Sequence, residues 1–184
     1  CKKAAGFSAG AIFASLLMAG YSGEEMLYTI NNLKIENLVK KNNKFIKKTI
    51  TEKGMYSLYY IEKMLEQLLV KKDKFTFSSF KDNQSFNLKI LATNTTKNIP
   101  IIFPDNLIYY NINPNLFSVA KAVVMSSTFP IFFKPLKIND DYIADGGIID
   151  NFPYKLFNYN NDEAIYNGNR NSNKVSLMIN VYWG

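Results

Sequence analysis

The chain has 184 residues, 47 % apolar and 20 % charged, which suits one domain with a sizeable core and excludes an intrinsically disordered segment. The formal charge is +7, yet of 22 basic residues only Arg170 is Arg. That shortage of guanidinium forks argues against sequence-specific reading of nucleic acid, while attraction to anionic lipid stays open. One Cys, Cys1, excludes an internal disulfide and a Cys-based zinc site. With no His at all, these residues cannot assemble a Ser-His-Asp triad or a His-ligated metal centre. Any nucleophilic serine must therefore use another base, or a histidine from outside these residues.

Residues 1–7 read as the end of a buried strand. Residues 9–19 follow, with Ile12, Phe13, Leu16, Leu17 and Met18 set among alanines. This stretch is apolar on nearly every face, so it predicts a central, buried helix that Gly20 can end; it falls short of the roughly 18 residues a membrane span needs. Ser22 and Glu25 have capping-box spacing and start a second helix through Ile30. Residues 31–53, rich in Lys and Asn, predict short helices and loops on the surface. From Ser57 onward, Leu58, Ile61, Met64, Leu65, Leu68 and Leu69 share one helical face, with Glu62, Lys63 and Glu66 opposite, as in a helix packed on a core.

Residues 86–93 alternate as a strand with Phe86, Leu88, Ile90 and Ala92 on one side. A polar turn over 94–98 and a second strand over 99–103 make a hairpin. Asn113 and Pro114 predict a helix start, residues 116–125 fill that helix, and Thr128-Phe129-Pro130 ends it. Strands are expected over 132–138 and 142–144 around a turn at 139–141. An Asn-rich loop over 158–173 and a last buried strand over 175–182 complete an α/β layered pattern with no internal repeat.

Two motifs carry chemistry. Gly6-Phe7-Ser8-Ala9-Gly10 fits G-x-S-x-G between an apolar strand and an apolar helix. This pattern suits a nucleophile on a tight strand-to-helix turn, where Gly6 and Gly10 remove side chains that would collide and the Ala9 N–H faces a developing oxyanion. Asp145-Gly146-Gly147 follows the apolar strand Tyr142-Ile143-Ala144, and two glycines after Asp145 allow its carboxylate to approach another backbone. In open α/β sheets, strand ends line the active crevice. In a chain without His, a direct Ser8–Asp145 dyad is the economical reading.

These segments resemble the patatin-like phospholipase family. The resemblance runs through Gly6-Phe7-Ser8-Ala9-Gly10-Ala11-Ile12, then Ala19-Gly20-Tyr21-Ser22 with Glu24 and Glu25. It continues in Leu88-Lys89-Ile90-Leu91-Ala92-Thr93-Asn94, Ser126-Ser127-Thr128-Phe129-Pro130, Tyr142-Ile143-Ala144-Asp145-Gly146-Gly147 and Asp150-Asn151-Phe152-Pro153. It covers roughly residues 2–153. It implies a three-layer α/β/α fold with a mostly parallel central sheet. It also implies hydrolysis of acyl esters in phospholipids or related lipids by a Ser8–Asp145 dyad through an acyl-enzyme, with no metal or organic cofactor.

The family carries a Gly-rich oxyanion loop with a basic residue ahead of its elbow, and no such run occurs here. Residues 1–184 are accordingly expected to form a single catalytic domain that is incomplete at its N-terminus. Two other readings compete: a lipid-binding or regulatory module with an impaired site, and an α/β-hydrolase whose His lies outside the chain. The expected partner is a lipid ester substrate; the Lys-rich residues 34–53 read first as a solvated surface and leave peripheral association with an anionic membrane open; nucleic acid is not expected. A cytoplasmic or peripheral-membrane location is the corresponding expectation.

Overall fold

The structure is a computed structural model that describes residues 2–32, 50–83, 85–128, 135–148 and 176–179. Cys1, most of the Lys- and Asn-rich stretch, the first residues of the strand expected over 132–138 and the Asn-rich loop over 158–173 lie outside the described residues; the rest of that strand is observed at Leu136–Ile138. In chain order the elements are β1 (Lys3–Gly6), α1 (Ala9–Met18), α2 (Gly23–Asn32), α3 (Ile50–Lys71), the short strands β2 (Lys81–Asp82) and β3 (Ser85–Phe86), β4 (Leu88–Asn94), β5 (Ile99–Phe103), α4 (Val119–Ser126), β6 (Leu136–Ile138), β7 (Asp141–Asp145) and β8 (Ser176–Ile179). Single 3-10 turns occur at Phe77–Phe80, Asp105–Tyr110 and Gly146–Ile148.

Helix signals in the sequence act where expected. The C-terminus of α1 closes with the Tyr21 N–H on the Leu16 carbonyl and the Gly20 N–H on the Leu17 carbonyl; Gly20 takes φ 89°, the left-handed turn that favours glycine at this position. Ser22 and Glu25 exchange their capping-box bonds at 2.7 and 3.1 Å. The long helix predicted from Ser57 instead begins at Ile50, so residues 50–53 belong to α3 rather than to a surface loop. The helix expected to start at Asn113 starts at Val119. The Asn113 side chain accepts from the Asn115 N–H at 3.0 Å, which stabilises a turn there, and Ser118 caps α4 by accepting from the Lys121 N–H.

β4 is the axis of the sheet. β1 pairs with it in parallel at Ala4↔Leu88 through Gly6↔Ile90. The antiparallel β5 pairs at Ile90↔Phe103 through Asn94↔Ile99, and the antiparallel β7 at Ala92↔Asp145 through Asn94↔Ile143. Ile90 has partners in both β1 and β5, and Ala92 has partners in both β5 and β7. A strand has only two edges, so β5 occupies one edge while β1 and β7 share the other, end to end. β8 lies parallel to β1 on its far side, and β6 antiparallel to β7. The α/β architecture is as expected. Among the described strands the sheet is mixed, with the parallel pairing centred on β1.

The single alternating face expected over 86–93 becomes two buried faces, because β4 is a central strand. Leu88, Ile90 and Ala92 join the main core with Ala11 and Ala14 of α1, Leu65 and Leu69 of α3 and Val119, Ala120, Ala122 and Val123 of α4. Leu91 packs with Ala5 and Phe7 on the other face, with Ile102 against them. The predicted core face of α3 is the buried one: Leu58, Leu65 and Leu69 are buried, and Ile61, Met64 and Leu68 lie partly buried against the cluster.

Candidate active site

Ser8 is the second of the two residues between β1 and α1, with φ 52° and ψ −131°. A side chain other than glycine pays on the order of 1–3 kcal/mol for such a backbone, and the conformation persists only when the surroundings enforce it. Two features enforce it here. A Cβ on Gly6 would lie 2.4 Å from the Gly10 carbonyl oxygen, so only glycine lets the strand run so close under the first turn of the helix. The Ser8 N–H also donates to Ser126 Oγ at 2.9 Å. The Ser8 hydroxyl makes no cap on α1 and is left for another partner.

The Asp145 carboxyl lies near it, and the Ser8 side chain is one of the groups that hold the Asp145 pKa down. The sheet register explains the meeting. β1 stops at the level of Ile90 and β7 ends at the level of Ala92, on the same edge of β4. The two strands therefore run toward each other along one rail and leave Leu91 at the break between them. Gly146 turns the chain away just there: a Cβ on it would sit 2.6 Å from the Leu91 oxygen and 2.8 Å from the Phe7 Cβ. The Gly147 N–H returns to Asp145 Oδ1 at 2.8 Å, and the Asp145 N–H donates to the Thr128 carbonyl at 2.9 Å.

Asp145 is 5 % exposed, whereas Ser8 is half-buried. Burial pushes the Asp145 carboxyl above its ordinary value, and the Ser8 side chain and the Gly147 N–H pull it partly back. A carboxylate whose pKa is raised is a stronger proton acceptor. Ala9 and Gly10 form the first turn of α1, Ala9 half-buried and Gly10 buried. This is where a helix N-terminus offers unpaired N–H groups and partial positive charge. Among the described residues no three His, Cys, Asp or Glu side chains converge as a metal site would require.

The structure thus brings together Ser8, Asp145, Gly6, Gly10, Gly146 and Gly147, with Ala9 beside them. Ser126 is the residue that sequence reasoning passed over. It is fully buried at the end of α4, accepts from the Ser8 N–H, and donates its own proton to the Leu91 carbonyl. Its only sequence signal is membership of a run of small hydroxylated residues, Ser126-Ser127-Thr128.

The fold is α/β, with an elbow serine and a buried aspartate at one break in the sheet edge. The patatin-like phospholipase family model matches residues 1–158, and the chain belongs to that family. It is 35 % identical to YqhO of Bacillus subtilis strain 168 over 167 residues, covering 85 % of this chain and 56 % of YqhO. It is 30 % identical to a protein of Invertebrate iridescent virus 6 named probable lipid hydrolase, over 96 % of this chain and 58 % of that one. The crystal structure of VipD from Legionella pneumophila aligns with a TM-score of 0.49 at 18 % identity, covering 82 % of this chain and 41 % of VipD. The chain therefore spans somewhat more than half the length of these curated relatives.

Proposed function

We propose that the protein is a serine hydrolase of acyl esters in phospholipids or related lipids, in which Ser8 is the nucleophile and Asp145 its base. The observation that carries this reading is the register that ends β1 and β7 against each other on one edge of β4, which sets Ser8, held in an elbow backbone, beside the buried Asp145, whose carboxyl the Ser8 side chain influences. Membership of the patatin-like family and the name of the viral relative support the lipid class of the substrate.

The mechanism follows from the acidities. A carboxylic acid near its ordinary pKa of about 4 is far too weak a base to ionise a serine hydroxyl beforehand. The proton must therefore move to Asp145 as Ser8 Oγ closes on the ester carbonyl, while the N–H groups of Ala9 and Gly10 at the start of α1 hold the charge forming on oxygen. Collapse expels the alcohol, which takes the proton from Asp145 and leaves an acyl-Ser8 ester. Asp145 then accepts a proton from water as the water attacks that ester, and Ser8 is regenerated with release of the fatty acid. Gly6, Gly146 and Gly147 serve by shape, letting three backbone segments approach closely enough for the two side chains to meet. No step of this scheme calls on a metal or organic cofactor.

Residues 1–184 act as one catalytic domain in this reading, and the protein works peripherally at a lipid surface. The test uses the full-length protein and an alkyl fluorophosphonate. Labelling should map to Ser8, and Ser8→Ala should remove both labelling and ester hydrolysis. Asp145→Asn should lower kcat by about 10³-fold or more, as loss of the base does in other serine hydrolases. A folded wild-type protein that neither labels at Ser8 nor turns over esters would reject the enzyme and favour a lipid-binding module.

A further inference from the structure

We infer that Ser126 is a positioning residue for the nucleophile: its single hydroxyl sets the backbone of Ser8 against the break in the β1–β7 edge and so fixes the distance between Ser8 and Asp145. This rests on the function proposed above and adds a residue to its site.

The argument begins at Leu91. Along the edge of β4 that carries β1 and β7, pairing stops at Ile90 and resumes at Ala92. The Leu91 carbonyl at the break is met by the Ser126 hydroxyl proton. A buried carbonyl without a partner costs about 1–3 kcal/mol, so this bond is a structural need of the break itself. The same oxygen of Ser126 then accepts from the Ser8 N–H at 2.9 Å. One hydroxyl thereby ties the edge of β4 to the elbow, using its proton in one direction and a lone pair in the other.

The neighbouring hydroxyls do nothing comparable. Ser127 Oγ donates to the Val123 carbonyl at 2.9 Å and Thr128 Oγ1 to the Val124 carbonyl at 2.8 Å, both within the helix's own last turn. Two residues past Ser126, the Thr128 carbonyl accepts from the Asp145 N–H. The end of α4 therefore holds the backbone of both proposed catalytic residues, Ser8 through Ser126 and Asp145 through Thr128. α4 itself is anchored by a nearly continuous buried surface from Val119 to Ser126, which makes it a rigid reference for both.

A displacement of about 1 Å between reacting groups typically lowers a rate by about 100-fold. In the full-length protein, the wild type is first labelled with the fluorophosphonate. Failure to label Ser8 would remove the proposed function and this role with it. With labelling established, Ser126→Ala and the size-conserving Ser126→Cys are expected to slow the labelling rate constant and kcat for a soluble short-chain ester by about 10- to 100-fold, with KM changed less than about threefold. Ser127→Ala is expected to stay within about twofold of wild type. A purely structural role would lower the fraction of labelled protein while the surviving fraction reacts at the wild-type rate; that result overturns the inference. So would a loss in Ser127→Ala equal to that in Ser126→Ala. If Ser126→Ala does not fold, Ser126→Cys carries the test, and failure of Ser126→Cys to fold assigns the hydroxyl to the fold alone.

Discussion

At the scale of single residues, the two carboxylates that bound β7 respond to pH with opposite sign. Asp145 has its pKa raised mainly by burial, so the folded chain holds that proton more tightly than the unfolded chain. Its contribution to stability is present below the unfolded value near 3.9 and is lost as pH rises through the higher folded value. Asp145→Asn should therefore melt higher than wild type at pH 7 while being inactive, by roughly 2–4 °C for each kcal/mol gained. The gap should narrow in acid, where both forms are neutral; differential scanning calorimetry at the two pH values checks this. Activity should fall on the acid side through that same raised pKa, above the range of an ordinary carboxylate, because the base must be ionised. Asp141 behaves the other way. The Lys97 ammonium at 2.7 Å, with help from the Asn94 amide and Tyr110, holds its carboxyl below the ordinary value. Its contribution is present above the unfolded pKa and is lost as pH falls through the folded one. Asp141→Asn should flatten the acid limb of the stability curve without touching the site.

Elements decide how the elbow is held. Gly6→Ala and Gly146→Ala each place a methyl under 3 Å from backbone, at 2.4 Å from the Gly10 oxygen and 2.6 Å from the Leu91 oxygen. Backbone cannot rotate aside as a side chain can, so each should lose about 1–3 kcal/mol together with most of the fluorophosphonate labelling. Gly23→Ala meets nothing within 4 Å and serves as the matched control, neutral or mildly stabilising. Helix ends make a smaller contribution: Ser22→Ala removes the cap on the Glu25 N–H and should lower stability by about 1 kcal/mol in urea titration, with kcat unchanged. Gly6 and the cap are legible in the sequence because each expresses a rule that acts over three or four residues, whereas the crowding at Gly146 comes from Leu91 and Phe7, distant in the chain. The start of α4 is not legible either: Asn113-Pro114 is an acceptable helix start locally, but residues 114–116 make a turn and Phe117 and Ser118 then pair with Phe77 and Thr76.

Across the whole molecule, α1, α3 and α4 press one core onto β4 and so hold the break in its edge. Leu65 is fully buried in that core. Leu65→Ala should cost about 2–5 kcal/mol, and at temperatures well below melting the folded fraction should keep its rate, since the site touches α4 and not α3 directly. The Lys-rich residues 34–53 lie largely outside the described residues, and their proposed role on anionic lipid is a matter of charge alone. Binding of the full-length protein to phosphatidylserine vesicles should weaken as salt rises from about 0.05 to 0.5 M, as screening of exposed charge requires. Binding indifferent to both salt and lipid charge would remove that role.

The sequence by itself determined the α/β character, the buried α1 and the packed face of α3, and it singled out Ser8 and Asp145 as candidates. Each follows from short-range periodicity, or from residue types left over once histidine is absent. Tertiary structure alone decided that β1 and β7 meet end to end on one edge of β4, that the sheet is mixed, and that Ser126 spans the resulting gap. Strand order and edge depend on contacts between segments more than eighty residues apart, as between Gly6 and Ile90, and no local pattern encodes which edge a strand will take. The importance of Ser126 comes from its place at that break, since its residue type is no different from that of Ser127 beside it.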